Sequence, residues 1–435
     1  MPEPNPQRLP GGRPSPSASG PTRYCYIDLD GCFASAEQHL RPELRGLPVG
    51  VHAGTPEHRD GTLISVSPEA KAKGIKTGMR SREARRVLPS LRVLAQRPVE
   101  YIRLHHALVA CIDEVAPVQE VHSVDEVSIA LAPSDDPTEL MHALREAVTS
   151  TFSPALSFSA GVASSIWLAK VAAERGKGAA GERGGAVDWT IPGALPDVLF
   201  ELELEDLPKV GARKAARLRR YGIESVRDFY DASLSRVGDA FGSVDGERIW
   251  LAMHGYDVRW TTRKTPKSLS HSRVLARSTR DKAEPIARWL ALCGWLRARG
   301  AGLRPRGVRL EGKVGERLIV VLCVIPYPGG EREALGATSA AWRKLRDLCL
   351  PERITVILDD LAPDPWQYAD LLEGADTFDR PIDKAFAEVR ERYGVRAIQR
   401  GVTGDPTGPF TGLKISFDRV PSLEEVALFC GGHRD

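Results

Sequence analysis

Three acidic residues sit where a folding chain tolerates them least. Asp28 follows the β-prone run Tyr24-Cys25-Tyr26-Ile27, and Asp125 and Glu126 lie inside the apolar stretch Val121–Leu131. A carboxylate in such surroundings is costly unless it is paired, hydrogen-bonded or metal-bound. Two strand-borne acid sites that converge would form a hard-oxygen cage for Mg²⁺. With phosphates completing the shell, two ions about 3.5–4 Å apart could clamp attacking and leaving oxygens. On spacing alone, solvated strand-end and turn acids fit equally well. Neighbouring strand residues face opposite sides, so Asp125 and Glu126 can share a site only where the chain turns. The pattern therefore predicts a tight hairpin turn at Ser123–Glu126.

Around these acids, strand and helix patterns alternate. Strands are expected at 24–27, 48–52, 121–131 and 157–163, with helices at 34–40, 69–87 (interrupted at Gly74 and Gly78), 99–115, 140–151 and 166–175. Residues 176–188 are Gly-rich and read as a loop. Mostly non-hairpin spacings suit an α/β or α+β domain. Residues 198–255 read as helical and contain Leu207-Pro-Lys-Val-Gly-Ala-Arg213. After a basic linker come strand patterns at 268–276, 307–314, 317–326 and 352–360, with helices at 283–299 and 332–350, a second α+β unit. A further helix fits 382–393, and 412–417 reads as a terminal strand. The Pro-, Gly- and Ser-rich residues 1–22 cannot offset the entropy of ordering and read as a disordered leader.

The 435 residues allow about three domains. The longest apolar run, Leu318–Ile325, is strand length, far below the ~18 residues of a membrane span. Seven cysteines without a Cys-x-x-Cys pair support neither a disulfide framework nor a zinc knuckle, so a reduced, cytoplasmic setting is expected. The formal charge of +3 hides an uneven distribution: residues 1–350 hold 50 basic and 41 acidic residues, residues 351–435 hold 10 and 16. Segment 259–320 carries sixteen basic against four acidic residues, and 67–103 ten against three. Such blocks would neutralise phosphates and make nucleic-acid binding salt-dependent.

The motifs and their order resemble the Y-family, translesion DNA polymerases, of the bacterial DNA polymerase IV and UmuC kind. Tyr26-Ile-Asp28-Leu-Asp30-Gly-Cys-Phe33-Ala-Ser-Ala-Glu37 is similar to the first family motif and Ser123-Val-Asp125-Glu126 to its Ser-Ile-Asp-Glu motif. Ala160-Gly-Val-Ala-Ser-Ser-Ile-Trp-Leu-Ala-Lys170 resembles the third signature, and Lys177 stands where the family has a Lys after the next helix. The helix-hairpin-helix at 207–221 and Lys267-Ser-Leu-Ser-His271 follow in order.

The resemblance implies an α+β multidomain fold, a right hand with ferredoxin-like palm, small fingers, helical thumb and α+β little finger. The implied domains are palm 23–190 with fingers at about 40–98, thumb 191–256, linker 257–267, little finger 268–362 and tail 363–435. It also implies that Asp28 and Asp125 bridge two Mg²⁺ ions, that Glu126 holds the ion at the primer 3′-OH, and that the Leu29 carbonyl completes the nucleotide-side ion. Phe33 resembles the steric gate against a ribose 2′-OH. The amides of Gly31, Cys32 and Phe33 would cradle the triphosphate, with Ser65, Lys71 and Lys177 as further nucleotide contacts. Lys209, Gly211, Arg213, Lys214, Lys267, Ser268, His271 and Arg273 would meet DNA. The implied partners are primer-template DNA and a dNTP, with no membrane.

The chain departs from the family where a Tyr-x-x-Arg pair grips the triphosphate: Pro68 and Lys71 replace the pair, losing a hydroxyl and a bidentate fork. Gln367-Tyr-Ala-Asp-Leu-Leu372 loosely resembles a sliding-clamp-binding peptide. Two other readings remain open. One is a catalytically silent family member that acts as a DNA- or clamp-binding scaffold. The other is a nucleotide cyclase on a similar palm, against which the helix-hairpin-helix and basic second unit argue.

Overall fold

The computed structural model describes residues 23–53, 60–177, 184–256, 258, 265–275, 277–325, 329–363, 381–401 and 420–430. The leader at 1–22, most of the basic linker, the clamp-like peptide at 367–372 and the expected strand at 412–417 lie outside them. The chain forms two compact units that divide at 262/263.

The first unit opens with β1 (Arg23–Leu29), α1 (Cys32–Leu40), β2 (Val49–His52), β3 (Leu63–Val66), α2 (Pro68–Lys71), α3 (Ser81–Val87) and β4 (Arg92–Ala95). It continues with α4 (Pro98–Val115), β5 (Val118–Val121), β6 (Glu126–Leu131), α5 (Pro137–Thr151), β7 (Phe158–Ala163), α6 (Ile166–Gly176) and β8 (Ala186–Asp188). Four short helices follow: α7 (Ala212–Arg220), α8 (Val226–Asp231), α9 (Leu234–Phe241) and α10 (Val244–Met253).

The main sheet has the order β5-β6-β1-β7-β8. Its first four strands, β1, β5, β6 and β7, with crossovers α4 and α5, make the ferredoxin-like pattern expected of a palm. β1 is buried on both faces, which explains its near-continuous apolar run. Cys25, Ile27 and Leu29 pack with Leu108 and Ile112 of α4 and Leu144 of α5. Tyr24 and Tyr26 pack on the other side with Trp167 and Leu168 of α6. Alternation places Asp28 on that second face, toward α6. The expected strand over 121–131 is two strands: β5 and β6 form a hairpin whose loop spans 122–125, where the acid pair required a turn. The Gly-rich segment expected to be a loop contains β8, parallel to β7.

A small sheet, β3-β2-β4, forms the fingers. Gly74 and Gly78 (φ 83° and 93°) separate α2 from α3, as the interrupted pattern predicted. In the helical region the hairpin at 207–211 is preceded by a single 3-10 turn at Leu204–Asp206.

The second unit runs β9 (Leu269–Val274), α11 (Glu284–Gly300), β10 (Leu303–Val314), β11 (Arg317–Val324), α12 (Glu331–Leu348) and β12 (Arg353–Pro363). Its sheet has the order β11-β10-β12-β9, with α11 and α12 packed against it and against each other. Two more helices, α13 (Pro381–Tyr393) and α14 (Leu423–Cys430), belong to the same unit. The region expected to be a separate acidic tail is thus partly built into the little-finger core. Arg390 (2% exposed) forks onto Glu331 (4% exposed) of α12 at 2.6 and 2.9 Å. Removing one partner of such a buried pair costs about 3–5 kcal/mol. Arg390→Met is therefore expected to lower the second unit's unfolding midpoint by several degrees. A paired Arg390→Met/Glu331→Leu replacement should recover most of the loss, and thermal unfolding checks both.

Candidate active site

Strand register brings the acids together. Asp28 and Glu126 are direct partners in the β1–β6 ladder, so they share the face toward α6. Asp125 stands at the end of the hairpin loop, where its carbonyl accepts from the Leu29 amide at 3.0 Å. The Ser123 hydroxyl donates to the Asp125 carboxylate. The turn thus lets neighbouring residues serve one site, which a regular strand forbids.

Two lysines of one helix meet these acids. Lys170 lies on α6 and Lys177 just past its end, seven residues on and so on the same face. Lys177 Nζ is 2.7 Å from the Asp28 carboxylate and 2.8 Å from Glu174. Lys170 Nζ donates to Glu126 and lies 3.2 Å from the Tyr26 hydroxyl. Sequence reasoning quoted Lys170 inside its motif but assigned it no role; the seven-residue spacing to Lys177 was the available signal.

Burial pushes the Asp28 carboxyl up to about 8, with Lys177 opposing the shift and the Asp125 charge adding to it. Burial raises Asp125 too, against the Ser123 hydroxyl. Glu126 lies below the usual range: burial would raise it, and the Lys170 charge and hydrogen bond overcome that. Burial opposes ionisation of Lys177, yet Asp28 and Glu174 hold it firmly protonated. The pocket thus concentrates negative charge and balances it with ammonium groups. Among the described residues, no three His, Cys, Asp or Glu side chains stand ready to hold a metal ion. The donor chemistry nonetheless fits a hard divalent cation, since Asp28, Asp125 and Glu126 offer oxygen ligands only.

A fourth acid, Asp30, is 4% exposed and accepts from Ser157 (2.8 Å), Ser159 (2.7 Å) and the Gly184 amide (2.9 Å). It ties the end of β1 to β7 and to the chain that returns after Lys177. His105, also missed from the sequence, is 5% exposed on α4 and bonds the Val124 carbonyl at 2.8 Å, bracing the loop that carries Asp125. Burial lowers its imidazole to about 4 from 6.5, so the native state binds that proton less readily than the unfolded chain. The stability this gives is complete above about 6.5 and is lost as pH falls toward 4. His105→Asn removes the titration. The stability gap between wild type and variant should therefore shrink between pH 7.5 and 5 in urea unfolding.

Gly31 adopts φ 59° at the start of α1, and a Cβ there would meet the Val66 carbonyl at 2.6 Å. Only glycine allows this close approach. It brings the first turn of α1, with Cys32 and Phe33, against β3. Ser65 is buried, and its oxygen accepts from the Ala34 amide at 3.2 Å. That bond fastens β3 to α1. Lys71 is exposed at the end of α2.

The expected DNA contacts divide. Lys209 and Arg213 are exposed at the hairpin, and Gly211 has open space around it. The left-handed residue of this turn is Lys209 (φ 71°), and Gly211 is extended. Lys214 Nζ packs 4.3 Å from the Phe241 ring. In the second unit Lys267 and Ser268 are exposed. His271 is 2% exposed and bonds Arg297 of α11 at 3.1 Å, so it faces the helix layer and is not a surface DNA contact. Arg273 has the same parity on β9 and is half-buried; Ser270 and Ser272 hold the open face.

The impB/mucB/samB family model matches residues 27–174, the segment holding all three site acids. The chain is 26% identical over 425 residues to a DNA polymerase IV 2 of Halalkalibacterium halodurans, covering 94% of this chain and 98% of the relative. It is 29% identical over 397 residues to a DNA polymerase IV of Moorella thermoacetica, covering 86% and 94%. In fold it resembles a Y-family DNA polymerase chimera of Dbh and Dpo4, at TM-score 0.62 and 20% identity over 78% of this chain and 99% of the other. No described helix is long and apolar enough to cross a membrane. Motif order, family model, near full-length relatives and fold agree: over most of its length the chain is similar to the Y family of DNA polymerases.

Proposed function

We propose that the chain extends a DNA primer on a template by nucleotidyl transfer from dNTPs, and that it works in damage tolerance by low-fidelity synthesis past lesions. The observation that carries this reading is the meeting of Asp28, Asp125 and Glu126 at the end of the β1–β6 ladder, opposite Lys170 and Lys177. In this reading Asp28, Asp125 and Glu126, with the Leu29 carbonyl, would hold two Mg²⁺ ions, Glu126 serving the primer side and Leu29 the nucleotide side. The ions would supply charge neutralisation and activation of the 3′-hydroxyl.

The protein's own part is placement. β1 and the 122–125 loop fix the carboxylates, and His105 and Asp30 hold those segments in register. Lys177, once released from Asp28, would offer its charge to the triphosphate. The first turn of α1 offers amides to the same phosphates, and Phe33 limits the sugar. Catalysis of this kind is mostly positioning and electrostatics, so few side chains are essential. Pro68 and Lys71, in place of a hydroxyl and a guanidinium fork, point to a weak grip on the nucleotide and a raised KM. The basic hairpin at 207–213 and the basic second unit suit DNA backbone contacts. A sliding clamp is a candidate partner through residues 367–372.

Primer extension on undamaged and abasic templates tests the reading, with Asp125→Ala/Glu126→Ala as control. Mg²⁺-dependent extension by the wild type, absent in the control, is expected on both templates. A wild type that binds primer-template DNA without extending it favours the scaffold reading.

A further inference from the structure

We propose that Glu37 and Arg97 are positioning residues for sugar selection, acting through Tyr101 on Phe33; this rests on Phe33 being the steric gate. Two helices each contribute a pair one turn apart: Phe33 and Glu37 on α1, and Arg97 and Tyr101 at the start of α4. The pairs meet in register. Phe33 and Tyr101 stack with ring centroids 4.7 Å apart and planes at 15°. Arg97 forks onto Glu37 at 2.9 and 2.8 Å, and the Tyr101 hydroxyl donates to the same carboxylate at 2.8 Å. Arg41 adds a third cationic contact at 3.4 Å.

The burial of this cluster has a physical cost that calls for an explanation. Glu37 is 0% exposed and Tyr101 2%. A carboxylate at that depth is retained only with its lone pairs satisfied, and an apolar pair of similar size would often serve stability as well or better. What an ion pair with a forked guanidinium adds is geometry: it fixes the direction of the Tyr101 hydroxyl and hence the plane of its ring. Phe33 is half-buried in the first turn of its helix and packs partly against fingers residues.

A gate discriminates only if its ring cannot yield to an added hydroxyl. Selection between two sugars is a difference in affinity, set by the clash with the wrong one. A Phe free to tilt would relieve that clash with little effect on the deoxy substrate. Tyr101, held flat by Glu37, blocks that tilt from behind. Loosening the anchor should therefore change the ratio of ribonucleotide to deoxyribonucleotide use far more than deoxyribonucleotide use itself. A merely structural tie between α1 and α4 would lower both together.

The test compares kcat/KM for dCTP and rCTP opposite template dG in wild type, Glu37→Gln, Tyr101→Phe and Phe33→Ala. Glu37→Gln is expected to raise the rCTP/dCTP ratio about tenfold while dCTP efficiency stays within about threefold. Tyr101→Phe, which keeps the ring and the fold and removes only the anchored hydroxyl, should shift the ratio the same way. Phe33→Ala should raise it most, and adding Glu37→Gln to it should change nothing further, because the anchor acts only through the gate. If Phe33→Ala admits rCTP while Glu37→Gln and Tyr101→Phe leave the ratio within about twofold, or lower both substrates equally, the anchor is refuted and the gate stands. If Phe33→Ala leaves the ratio unchanged, the gate reading fails, and the anchor with it.

Discussion

Asp28→Asn should abolish primer extension, by about 10³-fold or more, and leave the protein at least as resistant to heat as the wild type. The loss follows from the role assigned to this side chain. Removing charge-stabilising groups from such a centre costs several kcal/mol, and each ~1.4 kcal/mol is tenfold in rate. The retained stability follows from its surroundings. Asp28 is 5% exposed, and burial opposes its ionisation, with the Asp125 charge adding to the strain. An amide of the same shape relieves that cost. Lys177 keeps its second partner, Glu174, at 2.8 Å. A site that is strained without its substrate, and stabilised when the demanding residue is neutralised, is the usual trade between stability and activity. Differential scanning calorimetry beside extension kinetics reads both halves. A variant that loses activity only because it unfolds would contradict the account.

Gly161→Ala should be the most damaging small substitution in the first unit. Gly161 lies on β7, where α6 crosses closest. An added Cβ would fall 2.2 Å from the Ala169 carbonyl, 2.3 Å from the Ala173 amide and 2.6 Å from the Ala172 Cβ. Two of these are backbone atoms that no rotamer change can move, so α6 as a whole must shift. Overpacking usually costs about 1–3 kcal/mol, and a clash with helix backbone belongs at or above the top of that range. Because α6 carries Lys170 and leads into Lys177, the shift also moves both ammonium groups relative to the acids. The expected result is a midpoint of urea unfolding lowered for the first unit and an extension rate reduced beyond the loss of folded protein. Wild-type stability in Gly161→Ala would mean that α6 does not pack on β7 as described.

The acids were legible in the sequence because they broke a local rule: carboxylates inside apolar strands demand a reason. A turn was legible for the same cause: expected at Ser123–Glu126, it lies one residue earlier, at 122–125, with Glu126 already on β6. The motif order carried the domain plan, and the palm sheet follows it. Less legible was what depends on parity and depth. His271 matched a motif in sequence, but its position on β9 points it at α11, and only the strand register reveals that. Lys170 was overlooked because a lysine two turns before Lys177 is unremarkable until α6 is laid against β1. The short strands β3, β4, β5 and β8 have three or four residues each, too few for a clear alternation. The Arg390–Glu331 pair joins residues 59 apart, so charge counting alone made an acidic tail of a region partly built into a core.

The central claim is that Asp28, Asp125 and Glu126 hold two divalent ions once DNA and nucleotide have drawn the lysines away. The most direct test is to count Mn²⁺, by electron paramagnetic resonance, on the protein bound to template, a primer lacking its 3′-hydroxyl and the matching dNTP. The account predicts two ions per wild-type complex and fewer than one in an Asp28→Asn/Asp125→Asn variant that still binds the DNA. Equal counts in the two proteins, or none in the wild type, would contradict it.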